Sequence, residues 1–145
     1  MTDPELVSRK LVLIGKDLED LADLSNFSEQ EYLADRSNEL LAERYIERII
    51  GRMIDINFHL LTEAGQPPPP DYYQSFTRLS ELGVYGRNFG EEIAKSAGLR
   101  NRIVHEYDEI DAIQVYRALK AAVKEIPQYM RAVQAFVTGN EGDSA

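Results

Sequence analysis

The sequence predicts an all-α bundle of four to five antiparallel helices. Three observations carry that prediction. Apolar residues recur every three to four positions over most of the chain, and no stretch alternates convincingly with period two. Four of the six prolines stand together at 67–70, between two such stretches rather than inside them. The chain has 145 residues, which suits one domain able to bury a core without staples.

The first helix is expected over residues 5–24. Leu6, Leu13, Leu21 and Leu24 recur at near-helical spacing, and Val7, Ile14 and Leu18 widen the stripe. Asn26-Phe27-Ser28 breaks the pattern. Ser28 and Glu31 have the spacing of a capping box, which would start a second helix at Ser28.

Residues 38–63 make the strongest helical pattern. Leu41, Tyr45, Ile49, Met53, Ile56 and Leu60 form one apolar row, and Ile46, Ile50, Ile54 and Leu61 a second. A helix so widely apolar is buried on most of its surface. Arg44, Arg48, Arg52, Asp55 and His59 share one narrow polar row. That row reads either as a solvated stripe laced by local pairs, such as Asp55 with His59, or as the wall of a cleft or interface.

Pro67 to Pro70 cannot continue that helix and favour a stiff, extended connector. A short helix follows at 71–83, with Tyr72, Phe76, Leu79 and Leu82 apolar. Residues 88–105 read as another, with Phe89, Ile93, Ala97, Ile103 and Val104 inward and Gly98 weakening its middle. The last helix is expected over 109–137, with Ile113, Tyr116, Leu119, Val123, Ile126, Met130, Val133 and Val137 inward. Pro127 should kink it. The domain is expected to span 1–138, and 139–145 to form a disordered tail.

Composition excludes some chemistry. With no cysteine, disulfides, thiolate catalysis and Cys-ligated zinc are ruled out, and two histidines leave little room for a zinc site. No metal or other cofactor is expected. No apolar run approaches the ~20 residues that cross a bilayer. The N-terminus opens with Asp3 and Glu5 rather than a basic region and an apolar run, so a cytoplasmic location is expected. The net charge of -9 repels phosphate backbones unless basic residues are gathered somewhere. Residues 85–105 carry four basic and two acidic groups, the one positive segment, and it ends at His105.

That end carries the chemistry: Gly98-Leu99-Arg100-Asn101-Arg102-Ile103-Val104-His105-Glu106-Tyr107. Histidine exchanges protons near neutrality, and arginine offers a permanent fork for phosphate. Together they suffice for metal-free RNA cleavage in which the substrate's own 2′-hydroxyl is the nucleophile. Asn101 and His105 are i,i+4 and share a helix face, and Arg102 and His105 can also meet. Arg100 and His105 are i,i+5, so Arg100 must reach round or the helix must unwind. Phosphodiester transfer wants both a general base and a general acid. One motif histidine supplies one of them, so a symmetric homodimer is required to supply the second. The plainer reading is a structural or solvated histidine at a helix end.

The string Arg100-Asn101-x-x-x-His105-x-Tyr107 resembles the R-x4-H-x-Y signature of the HepT-like toxins, a branch of the HEPN-domain ribonucleases. The surrounding residues 98–111 are similar to that family's motif region. Asp55-Ile56-Asn57-Phe58-His59-Leu60-Leu61, the proline break, and then Tyr73, Phe76 and Leu79 are similar to its preceding helices. The resemblance covers roughly 40–135. It implies a HEPN bundle acting as a homodimer whose two motifs face one another, with metal-independent endoribonuclease activity. Arg100 would stabilise the charge on phosphorus, His105 would act as base or acid, and Asn101 would orient the histidine or the phosphate. The resemblance further implies a toxin of a type II or type VII-like pair, its partner a nucleotidyltransferase antitoxin that adenylylates Tyr107. Arg102, Arg87 and Lys95 are candidate RNA contacts outside the signature. Asp55 and His59 are expected to be structural or at an interface. The competing reading is a non-catalytic nucleotide- or RNA-binding partner subunit of a nucleotidyltransferase.

Overall fold

The computed structural model describes residues 4–144, and the side chains of 5–139. Six helices follow one another: α1 (Pro4–Ser25), α2 (Glu29–Ala34), α3 (Arg36–Glu63), α4 (Tyr72–Glu81), α5 (Arg87–His105) and α6 (Ala112–Ser144). No strand occurs among the described residues. The bundle thus has one more helix than the upper expectation, because the break at 26–28 parts a short α2 from α1 and the extended Asp35 parts it from α3.

α3 is the central element, in contact with each of the other five helices. Its two apolar rows account for this. Ile46, Ile49, Met53, Ile56, Leu60 and Leu61 are each at most 2% exposed. α1 and α6 close one side, while α4 and α5 pack chiefly on each other and on α3.

Two leucines expected inside lie outside. Leu13 is 40% and Leu41 46% exposed. Leu13 follows Glu5 and Arg9 at four-residue steps, on the outward face of α1, and Leu11 takes the inward place. Leu41 stands seven and eleven residues before Arg48 and Arg52, so it shares their polar face.

The ends of the helices follow local chemistry. Ser28 and Glu31 form the capping box: the Glu31 N–H donates to Ser28 Oγ at 3.1 Å and the Ser28 N–H to Glu31 Oε1 at 2.9 Å. Those bonds hold the Glu31 carboxyl below its ordinary range. Ser28→Ala is expected to lower the melting temperature by roughly a few degrees, read by circular dichroism. The effect should shrink as pH falls and Glu31 protonates, because a depressed carboxylate contributes only while ionised.

α3 and α4 both end on a left-handed glycine, Gly65 (φ 78°) and Gly83 (φ 86°). In each case two N–H groups close back on the last turn, Gln66 to Leu61 and Gly65 to Thr62, then Val84 to Leu79 and Gly83 to Ser80. The first of these stops releases the chain into the proline connector.

Pro127 lies inside α6, which continues through it. The helix also takes in the stretch expected to be a tail, running to Ser144. The side chains of 140–145 lie outside the described residues.

Candidate functional site

The sequence's chemistry-bearing string sits at the C-terminal end of α5. The helix stays regular to its last residue, with the Glu106 N–H donating to the Arg102 carbonyl at 2.8 Å. The chain then turns, and the N–H groups of Glu109 and Ile110 both donate to the Glu106 carbonyl. Asn101 and His105, one turn apart, are both exposed. Tyr107 follows in the turn and is 66% exposed, so its ring is not packed beneath α6.

Arg100 goes elsewhere. It stands about 140° round the helix from His105. Its guanidinium lies 5.4 Å from the centroid of the Tyr72 ring, a cation–π contact to the first residue of α4. Tyr72 in turn meets Phe58 of α3 edge-on at 6.2 Å. Arg100 Nε is buried and makes no hydrogen bond. The helix does not unwind to bring Arg100 and His105 together, so one protomer presents them on different faces.

The platform beneath Arg100 is tied to the core. Ser75 Oγ donates to the Tyr72 carbonyl at 2.7 Å and accepts from Asn57 Nδ2 at 3.1 Å. Asn57, fully buried in α3, accepts from the Tyr129 hydroxyl of α6 at 2.6 Å. The Met53 carbonyl lies 3.1 Å from the same hydroxyl. Burial pushes the Tyr129 hydroxyl well above its ordinary pKa, so it remains a protonated donor. Sequence reading missed this chain. The available signal was Asn57 itself, a polar residue four after Met53 and three before Leu60 on the buried face.

The other candidate RNA contacts are spread along α5. Arg102 is exposed one turn before Glu106 and lines a groove shared with Lys95, Glu92 and Glu125. Lys95 Nζ donates to Glu92 at 2.9 Å, and that carboxylate raises the lysine above its ordinary range. Arg87 pairs with Glu91 at 3.2 Å and stands at the opposite end of α5, about 27 Å from His105 along the axis.

Much of the polar row of α3 is tied to α1. Asp55 pairs with Lys10 at 3.1 Å. Arg52 Nη1 donates to Asp17 at 2.7 Å, and Arg48 Nε forms an ion pair with the same carboxylate at 3.1 Å. Among the described residues, no three His, Cys, Asp or Glu side chains gather as a metal would require. No helix there is long and apolar enough to cross a membrane.

An all-α bundle that presents Asn, His and Tyr at the open end of its fifth helix, with an arginine braced behind them, has the fold of the HEPN toxins. Known structures share the architecture. The tri-AMPylated Shewanella oneidensis HEPN toxin, solved in complex with MNT antitoxin, superposes with a TM-score of 0.81 at 21% identity, over 93% of this chain and 99% of that one. Sequence comparison goes further. The tRNA nuclease HepT of Aphanizomenon flos-aquae is 33% identical over 135 residues, covering 93% of this chain and 92% of that protein. The mRNA nuclease HepT of Shewanella oneidensis is 24% identical over 90 residues, 62% of this chain and 68% of the other. The profile of the ribonuclease HepT-like family matches residues 14–133. The chain belongs to the HepT-like ribonuclease family.

Proposed function

We propose that this protein is a metal-independent endoribonuclease, the toxin of a toxin–antitoxin pair, working in the cytoplasm as a homodimer. The observation that carries the reading is the exposure of Asn101, His105 and Tyr107 together at the end of α5, with Arg100 braced behind them. The kinship to proteins named as tRNA and mRNA nucleases supports RNA as substrate.

In this mechanism His105 of one protomer takes the proton of the substrate's 2′-hydroxyl. The 2′-oxygen then bonds to phosphorus as the bond from phosphorus to the 5′-oxygen breaks. The partner's His105 gives the leaving 5′-oxygen its proton. A cyclic phosphate and a 5′-hydroxyl result. Arg100 meets the charge on the phosphoryl oxygens, and Asn101 fixes the imidazole or the phosphate. The division of Arg100 and His105 between two faces of one chain favours a site assembled from both protomers.

Tyr107 is the proposed point of control. A nucleotidyltransferase antitoxin would adenylylate its exposed hydroxyl, placing an anion beside His105 that repels RNA. The solved relative named as tri-AMPylated and bound to MNT antitoxin supports this reading.

RNA cleavage by the purified chain in EDTA tests the activity. Cleavage to a cyclic phosphate is expected, and ATP with the antitoxin should abolish it in wild type but not in Tyr107→Phe. A folded chain of unmodified mass that cuts nothing would favour the non-catalytic binding subunit.

A further inference from the structure

Beside the motif lies a cleft of about 320 Å³ between α3, α4 and α5. We infer that this cleft is a second phosphate subsite, which holds a phosphodiester of the RNA strand next to the one being cut. The inference rests on the ribonuclease reading for its ligand but on different residues for its geometry.

One wall is a pair of arginines held in place by a buried acid. Asp17, 6% exposed, accepts a hydrogen bond from Arg52 and forms an ion pair with Arg48. One carboxylate against two guanidiniums leaves one positive charge over. Each guanidinium carries five N–H donors, and the hydrogen bond to Asp17 uses a single one of Arg52's. The opposite wall is Arg100 on the Tyr72 ring, a contact that leaves the cation's charge intact. Its Nε has no hydrogen-bond partner. Gly51 supplies an open floor: a Cβ placed there meets nothing within 4 Å.

The rim acids are already matched. Glu47 faces Arg44 at 3.6 Å, and Asp55 faces Lys10 at 3.1 Å. In the cleft's own lining Arg48, Arg52 and Arg100 outnumber Glu47 and Asp55 by one, in a chain of net -9. An anion that avoids most of this surface is attracted here. Because Arg100 belongs to both the cleft and the motif, a strand crossing the motif has its neighbouring phosphate within reach of the α3 arginines.

The test is binding of a non-cleavable single-stranded 2′-O-methyl decamer across a salt series, beside cleavage of a ribodinucleotide and a ribodecamer. Arg48→Gln removes a cation, while Arg52 still pairs with Asp17. Gly51→Leu fills the floor and alters no charge. Each should weaken decamer binding roughly tenfold. Arg48→Gln should also flatten the salt slope by about 0.7, the share of one phosphate contact. Both should shrink the decamer's kcat/KM advantage over the dinucleotide. If wild type cuts nothing yet the variants weaken decamer binding, the subsite stands and the cleavage reading falls. If wild type cuts and both variants, shown folded by circular dichroism, bind the decamer with wild-type affinity and slope, the subsite is overturned. A changed oligomeric state with unaltered decamer binding would also overturn it, making the cleft a contact between copies.

Discussion

His105→Ala is expected to lower RNA cleavage by roughly 10²- to 10⁴-fold while leaving the melting temperature in place. The two halves of that result have separate causes. The imidazole is exposed at the last residue of α5, so its removal opens no cavity in the core. In the proposed mechanism its loss takes away the group for both proton transfers, since a symmetric dimer would draw base and acid from the same position. A mixed dimer with one altered protomer should therefore be impaired as well, because either the base or the acid is missing at each turnover. Single-turnover rates on a defined RNA measure the effect. Retention of most activity by the mixed dimer would show that one protomer supplies both groups.

Tyr129→Ala is expected to cost about 3–5 kcal/mol of stability, by urea unfolding. The ring is fully buried and lies 6.1 Å from Phe76 and 6.2 Å from Tyr85, so truncation opens a cavity between α6, α4 and the turn before α5. Against a typical stability of 5–15 kcal/mol, that loss is severe. Tyr129→Phe isolates the hydroxyl. It should cost about 1–3 kcal/mol, since Asn57 Oδ1 then stays buried without its donor. The smaller change has a second expected outcome. The Asn57–Ser75–Tyr72 chain loses its anchor, so Arg100 is held less firmly and cleavage falls further than the change in folded fraction explains.

What could be read from the residues alone was whatever is local. The apolar period found the long helices, because burial imposes it on one chain segment at a time. Ser28 with Glu31 marked the start of α2 because a capping box lies within four residues. The string at α5 stood out because its polar groups fall within ten residues. What escaped was pairing over distance. Asp55 meets Lys10 of α1, 45 residues earlier, a contact that no local pattern announces. Tyr129 and Asn57 are 72 residues apart, and nothing near either announces the other. The platform under Arg100 is of the same kind, since no local pattern ties an arginine of α5 to a tyrosine of α4. Leu13 and Leu41 looked inward because a wide stripe fits several rotations of a helix, and only the packing of neighbours selects one.

The openness of Tyr107 reaches beyond catalysis. A side chain two-thirds exposed can be altered with little change to what holds the fold together. Free and adenylylated chains should therefore unfold at the same denaturant concentration and resist proteases equally. Cellular quality control, which samples unfolded populations, would have no means of sorting one form from the other. Under the proposed adenylylation the amount of protein and the fraction able to act would be set independently, the first by synthesis and turnover, the second by chemistry at one phenol.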